Sequence, residues 1–317
     1  MKLLPPFPEP LPQDISVQEF DALHDDPSAW RDLVGALAAQ VAPGLPVQQV
    51  EEGTVLVALL GQEQVLKVYA PFLRDHFEIE RAALAQLQGR LDLPTPTLLA
   101  SGDYQGWPYV LMSQLRGVPL VQRWAGLDLA VRCRVLERIG ALINQVHALP
   151  VGALLALAPP WEDFIQRRRQ LCHERQQRTG LPAHLLAQLD GFLDSEPAPV
   201  SPVAPPSHVF LTCEYTPMNL MFDEAAGQVC GMFDFGDGLV GPREVDWLGP
   251  LSFLAAGCAP SCAALMAGLQ RELNAPLRLH LLRQLLLHRY SNLKAQIAMP
   301  GWQQCQSFEE LAEQIWP

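Results

Sequence analysis

A chain of 317 residues, 49% hydrophobic and 18% charged, is too apolar to be disordered and long enough for two cores. Its net charge of −12 argues against nucleic acid, whose phosphates demand a basic footprint, and suits a cationic small molecule, although acidity for solubility alone is common. Seven cysteines with no CxxC pair read as reduced core residues of a cytoplasmic protein, no apolar run nears the roughly 18 residues of a membrane span, and the proline-broken start MKLLPPFPEPLPQD is not a signal peptide.

Residues 1–15 are proline-rich and read as an extended arm. Val17–Val41 reads as helical, with Asp26 or Ser28 as a cap and Trp30, Leu33, Leu37 and Val41 at steps of three or four. Val47–Val50, Thr54–Leu60 and Gln64–Tyr69 then read as strands, the last two joined by a Gly61-Gln62 turn. In VLKVY, Lys67 shares a face with Val65, opposite Leu66 and Val68.

The next helix, FLRDHFEIERAALAQLQGRL, carries an apolar stripe of Leu73, Phe77, Leu84, Leu87 and Leu91. The position missing from that stripe is Glu80. A carboxylate on a buried helix face needs a cation, and Lys67, thirteen residues upstream on the adjoining strand, is the natural one. Glu78 falls off the stripe and is the second choice. Thr97–Ala100 and Trp107–Met112 read as strands around a Ser101-Gly102-Asp103 turn. The apolar strand then gives way to a polar link, where a nucleotide base would stack and bond backbone groups of Ser113 and Leu115.

Asp128–Leu149 reads as a helix with Leu136, Ile139, Ile143 and Val146 on one face, and His147 near its end as a hydrogen-bonded structural residue. Trp161–Arg178 and Pro182–Leu193 form a helical pair. Arg167, Arg168, Arg169 and Arg175 on the first read as a solvated face. Ser195–Pro206 is a proline-dense linker. Beyond Asp246-Trp247, the segments Leu248–Ala256, Ala263–Leu273, Leu277–Ala298 and FEELAEQIWP all have helical periodicity.

Between linker and tail lie three short apolar runs, Val209–Leu211, Leu220–Phe222 and Val229–Phe233, with Glu214, Asn219 and Asp234 at their edges. An acid, an Asn five residues later and an Asp in a DFG triplet make up the ligand set of phosphoryl transfer. The acid orients the attacking hydroxyl, and the Asn and Asp hold Mg²⁺ against the phosphates. Asp237, Glu244 and Asp246 could line a cationic pocket, but surface acids are commoner, and Asp246 reads equally as a helix cap.

Over roughly residues 45–290 the order of elements resembles the aminoglycoside phosphotransferase family, a branch of the protein-kinase-like fold. The resemblance rests on Lys67 in VLKVY, Glu80 in IERAAL, YVLMSQLRGVPL, INQVHALP, CEYTPMN and MFDFGD, with a looser similarity to hygromycin B phosphotransferases. It implies an α+β, two-lobed architecture: an N-terminal arm and helix (1–45), a small antiparallel-sheet lobe with one helix (46–114), and a larger, mainly helical lobe (115–317). It further implies ATP and Mg²⁺ as cofactors and a small, cationic, hydroxylated acceptor. Lys67 would hold the ATP phosphates and Glu80 would orient it. Glu214 takes the catalytic-base position, Asn219 and Asp234 those of the metal ligands, and the backbone of Ser113 and Leu115 that of the adenine site. Two departures stand out. Thr212-Cys213-Glu214 replaces the usual His-Gly-Asp, and only Gly53 and Gly61 flank the nucleotide-covering hairpin. A nucleotide-binding pseudokinase with little or no transfer is the alternative.

Overall fold

The computed structural model describes residues 11–51, 53–195 and 208–317. The first ten residues of the expected arm, and the linker read over Ser195–Pro206 beyond Ser195, lie outside the described residues. The chain divides into two compact units. One comprises the stretch ending at Arg90, Pro94–Arg116 and Asp234–Asp237; the other comprises Leu91–Leu93, Gly117–Phe233 and Gly238–Pro317.

The first unit is built on a five-stranded antiparallel sheet of β1 (Val47–Val50), β2 (Leu56–Leu60), β3 (Gln64–Val68), β4 (Leu98–Tyr104) and β5 (Trp107–Ser113), in the order β1-β2-β3-β5-β4. Alternation along β3 sends Leu66 and Val68 into a core shared with Trp30, Leu33, Leu37 and Trp107. The segment before β1 therefore packs, from Leu11 onward, into the core of this unit. It forms two helices, α1 (Val17–His24) and α2 (Pro27–Val41), the second starting at the cap expected at Asp26. Pro27 has no N–H to continue a helix and pushes Asp26 to extended backbone, where its Oδ1 accepts the Ser28 N–H at 3.0 Å and caps the second helix. The turn expected at Ser101-Gly102-Asp103 is a correction. Those residues lie inside β4, and the reversal falls at Gln105-Gly106, both at positive φ. Gly102 is there because a Cβ would come within 2.9 Å of the Tyr109 ring opposite it.

Helix α3 (Arg74–Leu87) buries Phe77, Ile79, Glu80, Ala83, Leu84 and Leu87. Lys67, out of phase with Leu66 and Val68, is the residue of β3 that α3 must accommodate.

In the second unit, the helix Leu129–His147 starts at Asp128, whose Oδ1 accepts the Val131 N–H at 2.8 Å. The helix Ala259–Leu269 packs tightly against it: a Cβ on Gly140 would lie 2.5 Å from the Leu265 carbonyl oxygen. Trp161–Arg178 is broken at Leu171 into two helices, and its arginines are not a uniformly solvated face. Arg168 and Arg175 are half-buried, and the Arg168 guanidinium stacks 5.4 Å from the Phe164 ring centroid. Leu248–Ala256 is a short helix that opens into a π-helical turn at Leu251–Ala255. The region Leu277–Ala298 is two helices, Ala275–Leu287 and Leu293–Gln296. Among the described residues no helix is long and apolar enough to cross a membrane.

Two small sheets carry the loop residues. Strand β6 (Val118–Pro119) joins β8 (Leu220–Asp223) and β9 (Gln228–Met232) in the order β6-β8-β9, while β7 (Val209–Leu211) pairs with β10 (Leu239–Gly241). Glu214 follows β7, Asn219 immediately precedes β8, and β9 leads into Phe233-Asp234.

Candidate active site

Within the first unit three charged side chains meet. Lys67 Nζ donates to Glu80 Oε1 at 2.8 Å, to Glu80 Oε2 at 3.0 Å and to Asp234 Oδ1 at 2.8 Å. Lys67 is 7% exposed and Glu80 1%, whereas the Asp234 side chain is 43% exposed. The hydroxyl of Tyr69 donates to Glu80 Oε2 and completes the buried half of the cluster. Burial alone would lower the Lys67 pKa, but the carboxylates of Asp234 and Glu80 outweigh it and raise the ammonium above its ordinary 10.5. Burial, joined by the negative charge of Glu80, holds the Tyr69 phenol well above its usual range. Lys67 is thus held as the cation between two acids, while burial, ahead of the opposing pull of Lys67, pushes the Glu80 carboxyl above its ordinary range.

Asp234 adopts φ 70°, the left-handed region, which is uncommon for a non-glycine residue and clusters at functional sites. The strain is over-determined by its surroundings. Phe235 is fully buried, Gly236 packs 3.5 Å from the backbone of His76 by its Cβ position, and His76 Nδ1 lies 3.4 Å from Asp237 Oδ1. Glu78, the second choice for the lysine's partner, instead pairs on the surface with Arg81 at 2.5 Å.

At the end of β5, Ser113 donates its N–H to the Thr97 carbonyl at 2.9 Å. Only its carbonyl remains a candidate for a base. Leu115 lies beyond the strand and is half-buried.

The second unit holds Glu214 and Asn219. Asn219 Nδ2 donates to Glu214 Oε2. The loop that carries Glu214 is fixed from beneath by Asp246, which is 1% exposed. Its Oδ1 accepts the Cys213 N–H at 2.8 Å, and its Oδ2 accepts the Thr212 N–H at 3.2 Å and lies 2.9 Å from His147 Nε2. This clamp accounts for the positive φ of 60° at Cys213. Gly249 lets the following helix approach: a Cβ there would lie 2.9 Å from the Tyr215 carbonyl oxygen. Asp246 is therefore not a helix cap, since it lies inside the 3₁₀ turn Arg243–Trp247, and His147 is the buried structural residue its position suggested.

Sequence reasoning missed two contributors. Tyr69 was findable, since it lies two residues beyond Lys67 on the same strand face. The Asp246–His147 pair spans 99 residues, and nothing local marks it.

The sequence profile described as the phosphotransferase enzyme family matches residues 45–282. The chain belongs to that family.

Among solved structures, the phosphotransferase resembles the GDP complex of wild-type aminoglycoside 2′-phosphotransferase-IIIa at 16% identity and a TM-score of 0.64, over 89% of this chain and 96% of that one. It also resembles the GDP and kanamycin complex of APH(2″)-IIIa at 16% identity and a TM-score of 0.63, over 83% and 92% of the two chains. The apoenzyme of macrolide 2′-phosphotransferase MphH from Brachybacterium faecium aligns at 19% identity and a TM-score of 0.57, over 80% and 88%. No curated protein matches the sequence. The fold is kinase-like, with an antiparallel sheet towards the N-terminus and a helical C-terminal region, and the protein is a phosphotransferase of the small-molecule kinase type.

Proposed function

We propose that this phosphotransferase moves the γ-phosphate of ATP to a hydroxyl of a small, cationic acceptor such as an aminoglycoside. The observation that carries this reading is the Lys67–Glu80–Asp234 cluster, in which a buried pair holds the ammonium against a half-exposed carboxylate. Lys67 binds phosphate oxygens, Glu80 and Tyr69 orient it, and the backbone of Ser113 and Leu115 receives the adenine.

The donor set fits Mg²⁺. The trio has an acid in excess, and Asp234 commits Oδ1 to Lys67 while its carboxylate stays partly exposed. Among the described residues no group of three or more His, Cys, Asp or Glu side chains could hold a metal unaided. Mg²⁺ usually takes one or two protein ligands and completes its shell with water and phosphate oxygens. Asp234 and Asn219 are the ligands proposed here, and the bound ion would neutralise charge on the phosphates.

The acceptor class draws support from the net charge of −12 and from relatives whose structures contain kanamycin, gentamicin or streptomycin. The macrolide enzyme widens the range to be tried. A cytoplasmic location belongs to the same proposal and is supported by a sequence whose seven cysteines include no CxxC pair. A second reading, nucleotide binding without useful transfer, is favoured by one observation: the Glu214 carboxylate is engaged by Asn219.

The test is ADP release from Mg²⁺-ATP with kanamycin, gentamicin, streptomycin, a macrolide, choline and amino sugars as acceptors. Turnover with any of them, lost in Asp234→Ala, is the expected result. Equal turnover in that variant refutes the role of Asp234. ATP binding without turnover on any acceptor favours the second reading.

A further inference from the structure

Glu214 is one methylene longer than the acid usual at its position, and the structure gives the added length a use. Its Oε2 accepts the amide N–H of Asn219, five residues further on. A carboxylate oxygen can only accept, so the amide atom facing it is the nitrogen, and the Asn219 carbonyl oxygen is turned away from Glu214.

The backbone of Asn219 is held independently of this bond. Its N–H donates to the Thr216 carbonyl at 3.2 Å, and its own carbonyl accepts the Phe233 N–H at 3.1 Å. The loop is closed further by the Thr216 N–H on the Glu214 carbonyl at 2.7 Å. With the main chain fixed at both groups, the amide still needs a partner to decide which of its atoms points where, and Glu214 is that partner.

We propose that Glu214 is a positioning residue: it sets the side-chain amide of Asn219 so that Oδ1 is presented as a neutral oxygen ligand, and it is not the group that takes the acceptor's proton. The proposal rests on the phosphotransferase reading for the ligand role of Asn219, and on the Glu214–Asn219 bond for its own content. Phosphoryl transfer with a loose transition state depends on placement and on compensation of charge more than on a strong base. An outer carboxylate that orients a ligand is typically worth 10- to 100-fold in metal affinity.

Restoring the shorter acid is then harmful. Glu214→Asp withdraws the carboxylate by about one carbon–carbon bond, ~1.5 Å, and breaks its reach to Nδ2. Glu214→Gln keeps both the length and an accepting oxygen.

The experiment combines two readouts. Mn²⁺ titrated into the protein–ADP complex and followed by electron paramagnetic resonance gives metal affinity without turnover. Selective ¹⁵N-asparagine labelling reports whether the Asn219 side-chain amide is hydrogen-bonded before any metal is added. Glu214→Gln is expected to bind Mn²⁺ within about threefold of wild type and to keep the Asn219 amide signal. Glu214→Asp and Asn219→Ala should each weaken Mn²⁺ by 10-fold or more, and the double variant should be no worse than Asn219→Ala alone. If Glu214→Asp binds Mn²⁺ like wild type, or if Glu214→Gln keeps its Mn²⁺ affinity but loses turnover 100-fold, Glu214 is not the positioning residue. Wild type that shows the hydrogen-bonded amide but binds no Mn²⁺–ADP refutes the ligand role of Asn219, and the proposed use of Mg²⁺-ATP falls with it.

Discussion

The Lys67 cluster and the Glu214 loop solve the same problem in opposite ways. In the first, charged side chains hold one another: two acids fix one ammonium, and a tyrosine hydroxyl closes the set. In the second, one buried carboxylate, Asp246, holds two backbone amides and a histidine, and the functional side chains Glu214 and Asn219 stand on the backbone it fixes. The first can be dismantled one charge at a time. Damage to the second moves a whole loop.

Five variants, one of them read by a pH titration and one a control outside both regions, sharpen that contrast, taken from the largest effect to the smallest. Asp234→Ala removes the half-exposed acid, and turnover on any accepted substrate should fall by on the order of 10³-fold or more while the fold survives, as read by steady-state kinetics beside circular dichroism. Asp246→Ala strips the Thr212 and Cys213 amides and His147 of their buried acceptor, so urea unfolding should show a loss of about 3–5 kcal/mol. Lys67→Met leaves Glu80 with only Tyr69 to satisfy it. Its stability cost should be smaller than that of Asp246→Ala, since Glu80 can take up a proton, while phosphate binding is lost.

The titration addresses the cluster alone. The folded-state pKa values of Lys67 and Tyr69 both lie above their ordinary values of 10.5 and 10.0. The folded protein then retains protons that the unfolded chain gives up, so their contribution is fully present below about pH 10 and is lost as pH rises beyond it. Unfolding free energy should fall above that pH, and Tyr69→Phe should flatten part of the fall. A curve unchanged in Tyr69→Phe contradicts the placement of its hydroxyl on Glu80. The smallest effect is expected at Ser307, whose side chain accepts the Glu310 N–H at 3.2 Å: Ser307→Ala should cost about 1 kcal/mol and leave activity alone.

Legibility in the sequence followed the same division. The Lys67–Glu80 pair could be read from one gap in an apolar stripe, because helical periodicity is local and a charge on a buried face demands a partner. The contact between Glu214 and Asn219 could be read from their spacing of five, whereas Asp234 pairs with Lys67 and not with them. Asp246 could not, because an acid followed by Trp247-Leu248 looks like a helix start whether it caps a helix or supports a distant loop. The arginines of Trp161–Arg178 misled for a related reason: Phe164 and the end of the helix Ala275–Leu287, which half-bury Arg168 and Arg175, are invisible to a charge count. One turn boundary failed where a single residue overrode the pattern, Gly102 by making room for Tyr109.

The most direct measurement is calorimetric titration of ATP into wild type and Asp234→Asn, with and without Mg²⁺. Wild type should bind ATP more tightly when Mg²⁺ is present, and the substitution should erase that gain while leaving the metal-free affinity nearly intact. If the gain is equal in both proteins, or ATP fails to bind wild type under either condition, the cluster of Lys67, Glu80 and Asp234 is not a nucleotide site.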